Sequence, residues 1–258
     1  MGKIAEPFSE KRENYKPWDY LTEVGDYYFK ISTGQIPEMF SSVALCHILN
    51  TFYSKDMKLL DVGCGSGHYL KSFRKHINPE INYLGIDVTE RHIELARKAY
   101  GNDALFKVGD IYDLPIENNE YDIVTCNNAI LHLPPNPIQP FRELIRVSKK
   151  YVIIRTVFGE RNYIIQEVRT EPENNGNLFY EDGTPKFVNY FNMYTEDYFR
   201  TIIKNISPDA KVDIIVDNSF KEFDNRNVTN NSTATKVING IQLAGNLLLD
   251  WRFIIIKL

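Results

Sequence analysis

Three glycines stand at alternate positions in the stretch Leu59-Leu60-Asp61-Val62-Gly63-Cys64-Gly65-Ser66-Gly67-His68-Tyr69-Leu70. Glycine is required where a chain leaves a strand, turns sharply and lets a ligand touch its backbone, because a side chain would block the approach. The backbone N–H groups that open the next helix then face the ligand in a positive field suited to a carboxylate or phosphate. The chemistry expected of this stretch is the holding of a small ligand by main chain. Two carboxylates recur downstream, Asp87 in Tyr83-Leu84-Gly85-Ile86-Asp87-Val88 and Asp110 in Gly109-Asp110-Ile111. Either alone would read as a helix cap or a turn. Both, in frame with the glycine bend, mark a binding crevice.

The elements that must position these residues follow from the hydrophobic pattern. From Leu59 onward strand and helix alternate with short connections, the mark of a parallel sheet covered on both faces. Strands are expected at 58–62, 82–87, 104–108, 121–126 and 151–155, with helices over 66–76, 89–100 and 137–148 between them. Thr89 is the expected N-cap of the second of these helices, and Ile93, Ala96 and Tyr100 form its buried stripe. Phe141, Leu144, Ile145 and Ser148 do the same for the third. Upstream, Ile36 to Phe52 reads as a helix with Pro37 in its first turn.

Residues 1–35 are polar yet carry many rings (Tyr15, Trp18, Tyr20, Tyr27, Tyr28 and Phe29 among them), so a packed cap is expected there rather than a disordered tail. After Arg155 the rhythm breaks, and 158–192 is expected to form an inserted lid, a loop or irregular hairpin. Thr195 is the expected cap of a helix carrying Phe199, Ile202 and Ile203. Lys211 to Val216 and Trp251 to Leu258 read as strands, and a helical piece is expected around Val237 to Leu249. No repeat or low-complexity linker divides the chain, so residues 1–258 are expected to form a single domain.

Composition narrows the class. At 258 residues, with 43% hydrophobic and 25% charged content, the chain can bury a full-sized core. A net charge of −4 offers no global attraction to nucleic acid or anionic lipid. Cys46, Cys64 and Cys126 are odd in number and embedded in apolar stretches, which predicts a reduced, cytoplasmic protein with no metal cluster. The start of the chain lacks a signal-peptide pattern, and no apolar run approaches the roughly 18 residues that span a bilayer.

Taken together, the glycine loop after strand one, Asp87 closing strand two, Gly109-Asp110-Ile111 closing strand three and Tyr121-Asp122-Ile123-Val124 opening strand four resemble the class I S-adenosylmethionine-dependent methyltransferases, most closely the single-domain members that act on small molecules. The resemblance is strong over residues 58–156. It implies a Rossmann-like, doubly wound α/β sheet of seven strands with the last strand antiparallel. It also implies S-adenosylmethionine as cofactor and S-adenosylhomocysteine as product. Asp87, 20 residues past Gly67, would accept from the ribose hydroxyls. Asp110 would accept from the adenine amino group, between Val88 and Ile111 as apolar walls. Gly63, Gly65 and Gly67 would admit the methionine end, Asp61 would orient the loop and help hold the amino group, and Asn127 would complete the cofactor set. A nicotinamide dehydrogenase shares the first loop, but its fingerprint is Gly-x-Gly-x-x-Gly, whereas this chain has Gly63-x-Gly65-x-Gly67.

The acceptor is expected off the carboxyl ends of strands four and five. His132 is the candidate base, since its ordinary pKa lies near neutrality. In the phosphobase methyltransferases, which this region also resembles, an N-terminal tyrosine latches onto such a histidine, and Tyr15, Tyr20, Tyr27 and Tyr28 are candidates here. His47, His68, His76 and His92 fall on helices without a partner pattern and are expected to be surface or core filler. Asn128, Arg155 and Arg161 are the expected substrate contacts. Guanidinium forks suit phosphate and carboxylate, which points to an anionic acceptor; the resemblance to enzymes that decorate surface sugars implies a capsule polysaccharide precursor as an example. The usual Pro-Gly-Gly turn before strand five is replaced by Val147-Ser148-Lys149-Lys150, and the Asn/Asp-Pro-Pro-Tyr/Phe motif of amino-methylating DNA enzymes is absent. The reading is O-methylation of a small polar molecule by a monomer or homodimer with neither nucleic-acid nor membrane partner. N-methylation of an amine, or cofactor binding without catalysis, are the alternatives.

Overall fold

The computed structural model describes residues 18, 21–101, 105–168, 176–219, 236–238, 241–244 and 247–258. Five parallel strands build most of the main sheet: β1 (Lys58–Val62), β2 (Asn82–Asp87), β3 (Phe106–Val108), β4 (Tyr121–Asn127) and β5 (Ser148–Phe158). A short hairpin of β6 (Gln166–Val168) and β7 (Val188–Tyr190) follows. The chain then returns through β8 (Lys211–Val216), β9 (Lys236–Ile238), β10 (Ile241–Ala244), β11 (Leu247–Leu248) and β12 (Asp250–Lys257). The seven-stranded sheet has the order β3-β2-β1-β4-β5-β12-β8, and β12 runs antiparallel to both of its neighbours. The fold is the expected Rossmann-like one. The order reverses between β1 and β4, and that switch point opens a crevice at the carboxyl ends of the strands.

Among the described residues six helices flank the sheet: α1 (Thr22–Ser32), α2 (Phe40–Leu49), α3 (His68–His76), α4 (Glu90–Tyr100), α5 (Ile138–Val147) and α6 (Glu196–Ile206). Strand alternation assigns the two faces. Leu59, Ile123, Ile153 and Ile255 pack with Leu45, Phe73 and Ile93 of α2, α3 and α4. Leu60, Val124, Ile154 and Ile254 pack with Phe141 and Phe199 of α5 and α6. Thr195 caps α6 as expected, its hydroxyl accepting from the Tyr198 N–H.

Several expectations change. The piece at 237–249 contains strands, not a helix: Ile241 pairs with Ile238 and Leu243 with Leu248. β-Branched residues on both sides of the Asn239-Gly240 dipeptide are the sequence signal for strand pairing that the apolar spacing obscured. Helix α2 begins at Phe40, beyond Pro37, with Met39 in extended backbone before it. Thr89 stands at the N-cap but its side chain makes no capping bond; instead the Thr89 N–H donates to Asp87 Oδ1 at 2.9 Å. Helix α5 stops at Val147, and Ser148 opens β5. That strand continues past Arg155 to Phe158 because β12 pairs along its whole length. Arg155 is therefore inside a strand, not at its end. Residues 158–192 do include the hairpin of β6 and β7. No helix among the described residues is long and apolar enough to cross a membrane.

Candidate functional site

The glycine bend leaves β1 with Gly63, Gly65 and Gly67 all at positive φ, 75°, 52° and 81°. Gly63 and Cys64 donate their N–H groups to the Ile86 carbonyl, which ties the bend to β2. Space divides the three glycines by role. A Cβ on Gly67 would stand 2.9 Å from ring atoms of Phe106 and Tyr100, so this glycine serves packing. Gly63 and Gly65 line a cavity of about 230 Å³, and Gly67 does not.

At the end of β2, Asp87 accepts from the Gly65 N–H at 2.8 Å and the Thr89 N–H at 2.9 Å. His92 Nδ1 lies 3.7 Å away, an electrostatic contact longer than a hydrogen bond. Burial acts to raise the Asp87 pKa, but His92 and the two backbone donors outweigh it and hold the carboxyl below its ordinary value. An ionised carboxylate has about four acceptor sites, so capacity remains for a ligand's hydroxyls. Asp110, Val88 and Ile111 share the same wall, and Asp110 also accepts from the Tyr112 N–H. Asp61 lies beneath the bend, off the cavity wall. The Thr125 and Tyr83 hydroxyls donate to it at 2.9 and 3.0 Å. Burial, aided by nearby Asp87, pushes its carboxyl up to about 7 against those two hydrogen bonds.

Five buried polar atoms on this wall have no hydrogen-bond partner among the described residues: both amide atoms of Asn127, both ring nitrogens of His68, and His92 Nε2. Each such buried group costs about 1–3 kcal/mol when left without a hydrogen bond, a cost that a ligand meeting it would relieve. Asn127 was expected here. His68 and His92 were expected to be filler; both are 4% exposed and on the wall. The readable signal for His68 was its place directly after the glycine bend. For His92 it was the first turn of the helix that follows Asp87.

His132 sits on a one-turn 3₁₀ segment, Ile130–His132, after β4. Its Nδ1 lies 2.9 Å from the Tyr190 carbonyl of β7. A carbonyl only accepts, so Nδ1 carries the proton and donates. Trp18 meets the His132 ring edge-on at 5.0 Å, and Phe191 does so at 5.6 Å. Tyr28 was a candidate latch for His132, but it stacks on His68 instead, centroids 4.1 Å apart. Burial, with Tyr27 nearby, pushes its hydroxyl up to about 12, so it is a donor at neutral pH. Tyr15 and Tyr20 lie outside the described residues.

Of the expected substrate contacts, Asn128 lines the cavity, at φ 60°. Arg155 does not. Its guanidinium donates to Asp217 at 2.7 Å and to Asn128 Oδ1 at 2.5 Å, and its carbon lies 4.0 Å over the Trp251 ring. The fork is consumed in holding β5, β12 and the chain after β8 together, which removes it as an anion receptor. Arg161 is exposed and off the wall.

A family model described as a methyltransferase domain matches residues 53–204. An uncharacterized methyltransferase of Schizosaccharomyces pombe is 30% identical over 147 residues, covering 52% of this chain and 50% of the relative. A demethylmenaquinone methyltransferase of Staphylococcus aureus is 31% identical over 97 residues, covering 37% of this chain and 40% of that protein. The chain thus spans half the length of these curated relatives or less. The structure of magnesium protoporphyrin IX methyltransferase from Synechocystis PCC 6803, solved with S-adenosylhomocysteine, shares the fold with a TM-score of 0.55 at 15% identity, over 93% of this chain and 96% of that one. With the family model covering more than half of its length, the chain belongs to the methyltransferase-domain family.

Proposed function

We propose that this methyltransferase acts on an oxygen of a small-molecule acceptor, with His132 as the base. The observation that carries the reading is the His132–Tyr190 hydrogen bond. It fixes the proton on Nδ1, so a neutral ring keeps its lone pair on Nε2 and can take a proton from a hydroxyl. Asn128 and His132 border the same cavity as the carboxylates of Asp87 and Asp110, which joins acceptor and cofactor in one enclosure.

The residues present fit S-adenosylmethionine. The amide of Asn127 has its hydrogen bonds unmet, and Gly63 and Gly65 line the cavity without side chains of their own. Asp87 would hold the ribose and Asp110 the adenine, flanked by Val88 and Ile111. When bound, the cofactor supplies a methyl group on a positively charged sulfur. The chain's own contribution is alignment, worth roughly 7–11 kcal/mol when good, and exclusion of water. A positioned base adds about 10²–10⁴-fold.

An anionic acceptor, such as a capsule precursor, has no support from Arg155, which is engaged elsewhere. Incubation with S-adenosylmethionine labelled in the methyl group and a panel of alcohols, phenols and amines tests the reading. Label should enter a hydroxyl, and His132→Asn should slow it by about 10²-fold or more. Transfer to an amine at an unchanged rate in His132→Asn would overturn the assignment.

A further inference from the structure

His68 occupies the first position of α3, directly past the glycine bend. Its ring is held rigidly. Tyr28 lies flat on one side, with planes inclined by only 11°, and Tyr69 packs beside it with centroids 4.7 Å apart. The Nδ1 atom is 3.8 Å from where a Cβ on Gly65 would stand, so the ring borders the very spot the bend keeps clear. Both nitrogens are buried without a partner. Burial, with His92 adding to it, pulls the ring's pKa down to about 3, so the ring is neutral and carries one donor and one acceptor.

The packing of α1 makes this placement deliberate. The Ser66 hydroxyl donates to the Gly25 carbonyl at 2.9 Å, and the Ser32 hydroxyl donates to the Ser66 carbonyl at 2.8 Å. These bonds seat α1 across the bend and bring Tyr28 onto His68. Beside it, a Cβ on Gly25 would come within 2.7 Å of the His92 ring, so α1 presses on both histidines. The residue before α3 is Gly67, which has no side chain with which to cap the helix. The N–H groups of that first turn favour an anion.

We infer that His68 binds the amino-acid tail of the cofactor, its ring N–H donating to the carboxylate, with His92 Nε2 as a supporting contact. This rests on the cofactor reading above. The carboxylates of Asp87 and Asp110 account for the nucleoside. What the cofactor still offers is an amino-acid tail whose carboxylate needs donors, and a neutral imidazole presents one N–H.

Calorimetric titration of S-adenosylhomocysteine and of 5′-methylthioadenosine, which has the same nucleoside but no amino-acid tail, tests this in the full chain. His68→Phe keeps the stack on Tyr28 and removes both nitrogens. It should weaken S-adenosylhomocysteine by about tenfold or more while leaving methylthioadenosine within about twofold. His68→Gln should recover part of the loss. Equal weakening of both ligands would make His68 a packing residue and overturn the inference, as would unchanged affinity for S-adenosylhomocysteine. Wild-type protein that binds neither nucleoside would instead remove the cofactor reading itself, and this inference with it.

Discussion

Asn127 and Arg155 are direct neighbours across β4 and β5, yet they serve opposite ends of the problem. Asn127 is 5% exposed with its amide unpartnered and on the cavity wall. Arg155 is equally buried, with its guanidinium divided among Asp217, Asn128 and Trp251. One residue holds unspent hydrogen bonds for a ligand, and the other spends its own on the fold.

Asn127→Leu should therefore separate stability from binding. An apolar group of similar shape relieves two buried unmade bonds, so the ligand-free protein should melt at the same temperature or higher. The rise in melting temperature on adding S-adenosylhomocysteine should shrink or vanish. A variant that keeps the full ligand-induced rise would show that the amide contributes nothing to binding.

Arg155→Ala is predicted to act on stability. It strands the Asp217 carboxylate, 2% exposed, without its counter-charge. Breaking such a pair costs about 3–5 kcal/mol, measurable by denaturant titration. The paired change Arg155→Met with Asp217→Leu should restore much of that loss. The preference for phosphorylated over neutral acceptors should not change in the paired variant; a selective loss of phosphorylated substrates would return Arg155 to the site.

Asp61 carries a pH signature. Its carboxyl sits at about 7 in the fold, against about 3.9 in an unfolded chain. A raised folded value means that its stabilising contribution is whole below about pH 3.9 and is lost as pH rises to about 7. Relative to wild type, Asp61→Asn should thus gain stability across that window, on the order of 1 kcal/mol per pH unit, and level off above it. Melting curves from pH 5 to pH 8 that run parallel for the two proteins would contradict the assignment.

The glycines at 67 and 101 both have positive φ, 81° and 85°, but Gly67 is left-handed at ψ 18° whereas Gly101 is extended at ψ 179°, and their surroundings differ too. Gly67→Ala forces a methyl group against Phe106 and Tyr100, whereas nothing lies within 4 Å of a Cβ on Gly101. Gly101→Ala should cost about 1–3 kcal/mol from backbone strain alone. Gly67→Ala should cost about 2–5 kcal/mol, because overpacking adds to the strain. Equal losses in chemical denaturation would show that the neighbours yield freely.

Local pattern made the sheet and its crevice readable in advance. Strands β1, β2 and β8 fall on their expected residues because a buried strand needs a short apolar or alternating run, and nothing distant can change that periodicity. Pattern failed at 237–249, where apolar spacing fits a helix but pairing of Ile238 with Ile241 takes the segment into a sheet. It failed again at Arg155, since the length of β5 is set by β12, almost a hundred residues later in the chain.

By itself the sequence determined the class of fold, the glycine bend and the carboxylates that close the second and third strands, because the apolar runs and turn glycines that specify them are local in the chain. Only the tertiary structure decided which polar groups are left for a ligand. Whether a histidine or an arginine is spent depends on what lies across from it. The helix that seats Tyr28 on His68 and the aspartate that claims Arg155 reach them from distant parts of the chain.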